Sequence, residues 1–84
     1  MTEQAQEIIA YIVNEVIRRP GVHIDEDTKL VSSGLIDSFA LVDILFKLED
    51  VTAMRIPAGK VQPEDMDTVR QMFVTAGRVG KPRK

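Results

Sequence analysis

The N-terminal stretch of the chain repeats its apolar residues with the period of a helix. From about Glu3 to Arg18, isoleucine and valine recur every three or four positions, so that at about 100° per residue they share one arc of the helical wheel. Pro20 and Gly21 follow directly and end the pattern. We therefore predict a first helix over this range. Its buried face is predicted to contain Ile8, Ile9, Ile12, Val13, Val16 and Ile17.

A long segment without helical periodicity follows, from Arg19 to Asp37. It is rich in acidic and small polar residues, which is typical of a surface loop, and it is longer than most loops of compact domains. The acidic run 25–27 lacks the glycine, the spacing and the final glutamate of an EF-hand, so we predict a solvated turn there. The residues that could anchor the loop to a core are Val22, Ile24, Leu30, Val31 and Leu35.

The next segment, FALVDILFKLED, is dense in helix formers and contains neither glycine nor proline. We predict a second helix from Ser38 to about Asp50, with Asp37 as its N-cap. Apolar residues occupy well over half of its circumference. They form two neighbouring groups, which are Leu41, Ile44, Leu45 and Leu48 in the first and Phe39, Val42 and Phe46 in the second.

So wide an apolar face exceeds what the few other elements of an 84-residue chain can cover. We therefore expect one of these two groups to stay partly exposed and to form a contact site for other proteins. The alternative is that all seven apolar residues belong to the core because loops cover the helix.

The segment after the second helix is less regular. Ile56-Pro57 and Gln62-Pro63 favour extended geometry at the residue before each proline. A short helix is predicted here, either as a single turn at about residues 57–61 or as one that begins at Pro63.

A last helix is predicted from about Thr68 to Ala76, with Asp67 as its cap and Gly77 just past its end. Its apolar face is predicted to contain Val69, Met72, Phe73 and Ala76. Residues 78–84 contain too little apolar material to pack. We therefore predict one domain over residues 1–77 and a basic, disordered tail over residues 78–84.

The formal net charge of −2 conceals an asymmetry between these two parts. Four of the eleven basic residues lie in the tail, which leaves seven basic against thirteen acidic groups in residues 1–77. Such an acidic domain disfavours nucleic acid as a partner and favours a basic protein surface. No apolar run has the length of a membrane span, and the N-terminus lacks the pattern of a signal peptide, so a cytoplasmic protein is predicted.

Ser38 directly follows an acidic residue at the corner between the loop and the second helix. A catalytic serine needs an adjacent base and donors for an oxyanion, and the only histidine of the chain is His23, in the loop. The glycines of a nucleophile elbow are absent, and a chain without cysteine offers no thiol chemistry. We therefore predict that the chain is not an enzyme, and that any chemistry at Ser38 is performed by another protein.

The order of loop, Gly-Leu-Ile-Asp-Ser-Phe, amphipathic helix and proline-containing connection to a last helix resembles the acyl carrier protein family. The resemblance covers roughly residues 4–77. Phe39 in place of the commoner leucine, together with Phe46, looks most like the D-alanyl carriers and other free-standing aminoacyl carriers. The resemblance implies an all-α fold, namely a small four-helix bundle with three main helices, one short helix and a long loop between the first two.

The resemblance also implies that Ser38 receives a covalent 4′-phosphopantetheine arm, derived from coenzyme A, whose thiol carries an acyl or aminoacyl group as a thioester. The implied partners of this monomer are a phosphopantetheinyl transferase, an acyl- or aminoacyl-loading ligase and downstream transferases. Lys47 dilutes the acidic strip of many fatty-acid carriers, which favours a dedicated biosynthetic pathway. The residues expected to contact or steer these partners are Asp37, Phe39, Val42, Asp43, Phe46, Glu49 and Asp50.

A rival hypothesis is a helical interaction module that docks partners through Phe39, Val42 and Phe46 without any covalent arm. The apolar pattern of the second helix fits this hypothesis equally well. The rival gives no reason, however, for the Asp-Ser pair at the start of that helix.

Overall fold

A computed structural model describes residues 2–19 and 21–82 of the chain. The described part of the chain is predominantly helical, as predicted, with three main helices. No helix among the described residues has the length and apolar character needed to cross a membrane. The elements are α1 (Glu3–Tyr11), which continues as a π-helix (Ile12–Ile17), α2 (Ala40–Thr52), β1 (Met54–Arg55), two short 3₁₀-helices (Ala58–Lys60 and Pro63–Met66), α3 (Val69–Val79) and β2 (Lys81–Pro82).

The first helix has the predicted extent but not a uniform geometry. Thr2 caps it, since its hydroxyl oxygen accepts a hydrogen bond from the N–H of Ala5 at 3.1 Å. Arg18 ends it in the left-handed region with a φ of 61°, and Pro20 lies outside the described residues. Of the predicted apolar face, Ile8, Ile12 and Val13 are buried, whereas Ile9, Val16 and Ile17 are half-buried against the core.

The long loop packs through the predicted anchors and one more. Ile24 and Leu30 are buried, and Ile36 is buried as well, although the sequence pattern did not single it out as an anchor. The acidic run forms a turn in which Asp25 accepts the backbone N–H of Asp27 at 2.8 Å. Asp27 in turn forms a two-pronged ion pair with Arg70 of α3, with a shorter N–O distance of 2.7 Å. The turn therefore fastens the first half of the loop to α3.

Asp67, just before α3, does not cap that helix as predicted. Thr68 is the cap, because its hydroxyl oxygen accepts the N–H of Gln71 at 3.0 Å. The carboxylate of Asp67 turns to the long loop instead, where one oxygen accepts the backbone N–H groups of Leu30, Val31 and Ser32 at 3.2, 2.8 and 2.9 Å. Its other oxygen accepts the hydroxyl of Ser32 at 2.8 Å.

These hydrogen bonds, first of all the one from the backbone of Ser32, hold the pKa of Asp67 below its ordinary value of 3.8. Because the pKa of Asp67 is lower in the folded state than in the unfolded state, its ionised carboxylate stabilises the fold at pH values above the ordinary pKa of 3.8. That stability is lost as the pH falls through the folded-state pKa.

We therefore expect Asp67→Asn to lower the melting temperature near neutral pH, and the difference from wild type to shrink in acid. Thermal melts at about pH 7 and about pH 3 measure this difference. Asp43→Asn is the control, since the carboxylate of Asp43 is exposed and makes no hydrogen bond to the described residues. A difference for Asp67→Asn that stays constant with pH contradicts the role assigned to its carboxylate.

Both alternatives for the short helix are realised as 3₁₀-helices, one at residues 58–60 and one at residues 63–66. Met66 at the end of the second turn is fully buried. On α3, Val69, Met72 and Ala76 are buried and Phe73 is half-buried, which confirms the predicted face.

The prediction of a disordered tail is wrong for residues 78–82. Arg78 and Val79 complete α3, and Lys81 and Pro82 pair antiparallel with β1. Gly80 makes this return possible, because a Cβ there would clash with the carbonyl oxygen of Ala76 and lie 2.8 Å from Cε of Met54. Residues 83 and 84 lie outside the described residues.

Candidate functional site

Ser38 lies exposed at the corner where the long loop becomes α2. Asp37 caps this corner as predicted, since its carboxylate accepts the N–H of Ala40 at 3.0 Å. Ser38 and Phe39 form a tight turn ahead of the α-helix, with a bond from the N–H of Leu41 to the carbonyl oxygen of Ser38 at 3.3 Å. The serine is therefore held by backbone geometry on a well-defined corner.

The surroundings of Ser38 contain no catalytic apparatus among the described residues. No side chain in residues 2–19 or 21–82 forms a hydrogen bond with its hydroxyl group. His23 is an exposed residue of the loop. Among the described residues, no base for activation is thus hydrogen-bonded to the hydroxyl of Ser38.

A face of α2 next to Ser38 carries three exposed apolar side chains. Phe39, Val42 and Phe46 expose 86, 55 and 60% of their surface, whereas Ile44 and Leu48 on the opposite side expose 0%. This contrast confirms the expected exposure of the second apolar group and excludes the alternative that all seven residues form the core. Exposed phenylalanines on one helical face are typical of a contact site.

The charged residues of α2 differ in exposure, since two are exposed and two are half-buried. Asp43 and Asp50 are exposed, and Asp43 lies next to Phe39 and Phe46 on the helical wheel. Glu49 is half-buried, and its carboxylate accepts the N–H of Ile56 at 2.8 Å. It secures the turn that follows α2.

Lys47 lies at the contact between α2 and α1. Its ammonium nitrogen is 3.3 Å from a carboxylate oxygen of Glu7 and 5.7 Å from the centre of the Tyr11 ring. The carboxylate of Glu7 compensates the charge of Lys47, so this lysine dilutes the acidity of α2 less than its presence in the sequence indicates.

An apolar groove of about 180 Å³ begins at Ser38. One wall belongs to α2 and the other to the segment with the two 3₁₀-helices. Sequence reasoning did not assign the second wall to the site, although the apolar residues Ala58, Val61 and Met66 in this segment were a signal of packing there. The lining residues are Ser38, Leu41, Val42 and Leu45 on one side and Ala58, Val61, Gln62, Pro63 and Met66 on the other.

Comparisons of the chain with protein-family models, with curated proteins and with solved structures find no match. The function is therefore inferred from three features, which are the exposed serine at the capped corner, the exposed apolar face of α2 and the groove between α2 and the 3₁₀ segment.

Proposed function

We propose that the chain is a carrier protein of the acyl-carrier type, which holds an acyl or aminoacyl group at the end of a 4′-phosphopantetheine arm on Ser38. The observation that carries the proposal is the exposed serine directly after a capping aspartate, at the start of a helix whose adjacent face is apolar and exposed. Neither an enzyme nor a purely structural helix requires this combination.

The residues around Ser38 fit such an arm. Ser38 is one of the residues that line the groove, and most of the others are apolar, so part of an arm attached to the hydroxyl oxygen can lie in it. When bound, the arm supplies a terminal thiol that carries the cargo as a thioester.

Each residue of the corner has a task in this proposal. The hydroxyl oxygen of Ser38 forms a bond to the phosphorus on the pantetheine side of the pyrophosphate of coenzyme A, and adenosine 3′,5′-bisphosphate leaves. The transferase provides the metal ion and the base that takes the hydroxyl proton. Asp37 holds the corner and presents its carboxylate to a basic residue of the transferase. Asp43 and Asp50 raise the rate of association with basic partners, an effect that salt weakens.

The exposed side chains of Phe39, Val42 and Phe46 provide the anchors for the transferase and for the ligase that loads the cargo. In the proposed carrier bundle, α1, α2 and α3 are the main helices and the turn at residues 63–66 takes the place of the short helix. The protein works as a monomer in the cytoplasm, and its acidic charge directs it to proteins rather than to nucleic acid.

A second candidate function is an interaction module without a covalent arm. The 86% exposure of Phe39 favours it as well, since a docking face needs no modification. The two functions differ in what happens at Ser38.

The deciding experiment is the intact mass of the protein after incubation with coenzyme A, magnesium and a broad-specificity phosphopantetheinyl transferase. We expect the mass to rise by one phosphopantetheine, and peptide mapping to place it on the peptide that contains Ser38. An established carrier protein treated in parallel serves as the positive control. An unmodified chain beside a modified control excludes the carrier function and leaves the interaction module.

We further expect the modified protein to accept an amino acid or a small specialised acyl group from an adenylating ligase. The similarity of LIDSF to the D-alanyl carriers supports this expectation, and Lys47 supports it less now that Glu7 compensates its charge. Loading assays with a panel of aminoacyl ligases and a malonyl transferase measure it. Charging by the malonyl transferase alone would contradict the aminoacyl assignment but not the carrier function.

A further inference from the structure

The second half of the long loop is held in place by Asp67, which lies far from it in sequence. Its carboxylate accepts three consecutive backbone N–H groups, from Leu30 to Ser32, and the hydroxyl of Ser32. The backbone carbonyl oxygen of Asp67 also accepts the N–H of Leu30, at 2.8 Å. Hydrogen bonds to an ionised acceptor are among the strongest in proteins, so this junction restrains the loop backbone tightly.

From this junction a short series of hydrogen bonds leads to Ser38. The carbonyl oxygen of Leu30 accepts the N–H of Ile36 at 3.0 Å, which closes residues 30–36 into a compact turn. Ile36 is buried and directly precedes Asp37, whose carboxylate caps α2 at Ala40. The position of the serine thus depends on a turn whose base is fastened by Asp67.

Asp67 is joined by local hydrogen bonds within that turn, since the hydroxyl of Ser33 donates to the carbonyl oxygen of Lys29 at 2.6 Å and the N–H of Gly34 donates to the carbonyl oxygen of Val31 at 3.0 Å. Ser32, Ser33 and Gly34 are exposed, and Gly34 adopts a φ of 81°, which is the left-handed region favoured by glycine. Small exposed residues make few packing contacts, so hydrogen bonds are the main source of order for these three, whereas Val31 and Leu35 on either side of them are half-buried against the core.

The first half of the loop is fastened separately. Arg70 forms ion pairs with Asp27 and Glu26, and its backbone N–H donates to the carbonyl oxygen of Glu26 at 3.0 Å. These contacts also join the loop to α3, but they lie upstream of Leu30 and outside the turn that leads to Ser38. They offer a matched comparison for the effect of Asp67.

We infer that Asp67 is a positioning residue for Ser38, which fixes the turn of residues 30–36 and thereby the place and direction of the serine hydroxyl. This inference rests on the proposed function, because it assigns Asp67 a part in the modification of Ser38. Asp67 does not contact the transferase. It acts by keeping the serine in one arrangement, so that the bound complex already has the geometry of attack.

The kinetics of modification distinguish positioning from general stability. Docking depends on the exposed face of α2, which Asp67 does not touch, so loss of positioning lowers kcat and leaves KM nearly unchanged. Partial unfolding of the chain would instead lower the concentration of competent substrate and raise the apparent KM.

The experiment compares Asp67→Asn with Asp27→Asn, which removes one carboxylate from the other junction. We expect Asp67→Asn to lower kcat for modification by about tenfold with KM within about twofold of wild type. It should also speed hydrogen exchange at the amides of residues 30–32 and 36. Asp27→Asn should leave the rate unchanged and affect exchange only near residues 25–28 and 70. The inference is overturned if kcat for modification falls equally in the two variants. It is also overturned if kcat is unchanged in Asp67→Asn although its amides exchange faster.

Ser32→Ala provides a milder variant in case Asp67→Asn does not fold. It removes only the hydroxyl bond to Asp67 and should produce a smaller change of the same kind in kcat and in exchange at Ile36; no change in either overturns the inference. If wild type itself is not modified, the proposed function fails. The claim that Asp67 fixes the turn of residues 30–36 is then tested by amide hydrogen exchange and by the NMR chemical shift of Ser38 in the variants. Exchange rates and a chemical shift equal to those of wild type overturn it.

Discussion

Ser38→Ala is expected to abolish the addition of phosphopantetheine completely while the protein stays folded. The substitution removes the oxygen to which the arm is proposed to bond, so the effect on modification is expected to be total rather than partial. The side chain is exposed and makes no hydrogen bond to the described residues, so its loss should leave the melting temperature nearly unchanged. Intact mass and a thermal melt of the variant measure the two effects.

Ser33→Ala is the matched control, because Ser33 is an exposed serine of the same loop. Its hydroxyl donates to the carbonyl oxygen of Lys29 at 2.6 Å, so the variant tests a structural serine beside the modified one. We expect Ser33→Ala to be modified. Modification of Ser38→Ala at another residue would show that the capped corner is not the attachment site.

The second large effect is expected for Leu48→Ala, which should lower the melting temperature sharply. Leu48 exposes 0% of its surface between α2 and the rest of the core. Truncation of a buried leucine costs about 2–5 kcal/mol, which is a large part of the total stability of about 5–15 kcal/mol of a small domain.

Phe46→Ala on the same helix is the counterpart. Phe46 exposes 60% of its surface, so its truncation should change the melting temperature little while slowing modification and loading by partner enzymes. Thermal melts and loading rates of the two variants separate the core face from the contact face. If Phe46→Ala unfolds the protein and Leu48→Ala does not, the two faces of α2 are assigned the wrong way round.

Sequence periodicity was sufficient for the features that depend on neighbours along the chain. The apolar arc of the first helix, the two faces of α2 and the cap by Asp37 all follow from spacings of a few residues. The exposed part of the candidate site, Ser38 with Phe39, Val42 and Phe46, was predictable for the same reason.

The features that were mispredicted depend on distant partners. Aspartate before a helix is typical of an N-cap, which is why Asp67 was predicted to cap α3. Its carboxylate instead accepts three backbone N–H groups from a loop more than 30 positions away. Likewise, residues 81 and 82 have no local tendency to order and become a strand only because β1 lies beside them. The wall of the groove formed by residues 58–66 and the inward bond of Glu49 also arise only when the chain has folded back.

The pairing of β2 with β1 determines where the end of the described chain lies relative to Ser38. Only Ala53 separates β1 from the end of α2, and only Phe39 separates Ser38 from the start of α2. With 13 residues in α2 and about 1.5 Å of rise per residue, the two places are separated by about 20 Å along the helix. A surface linkage or a fluorescent label on the exposed Lys81 would therefore be held at the far end of α2, and immobilised protein would present its serine towards the solution.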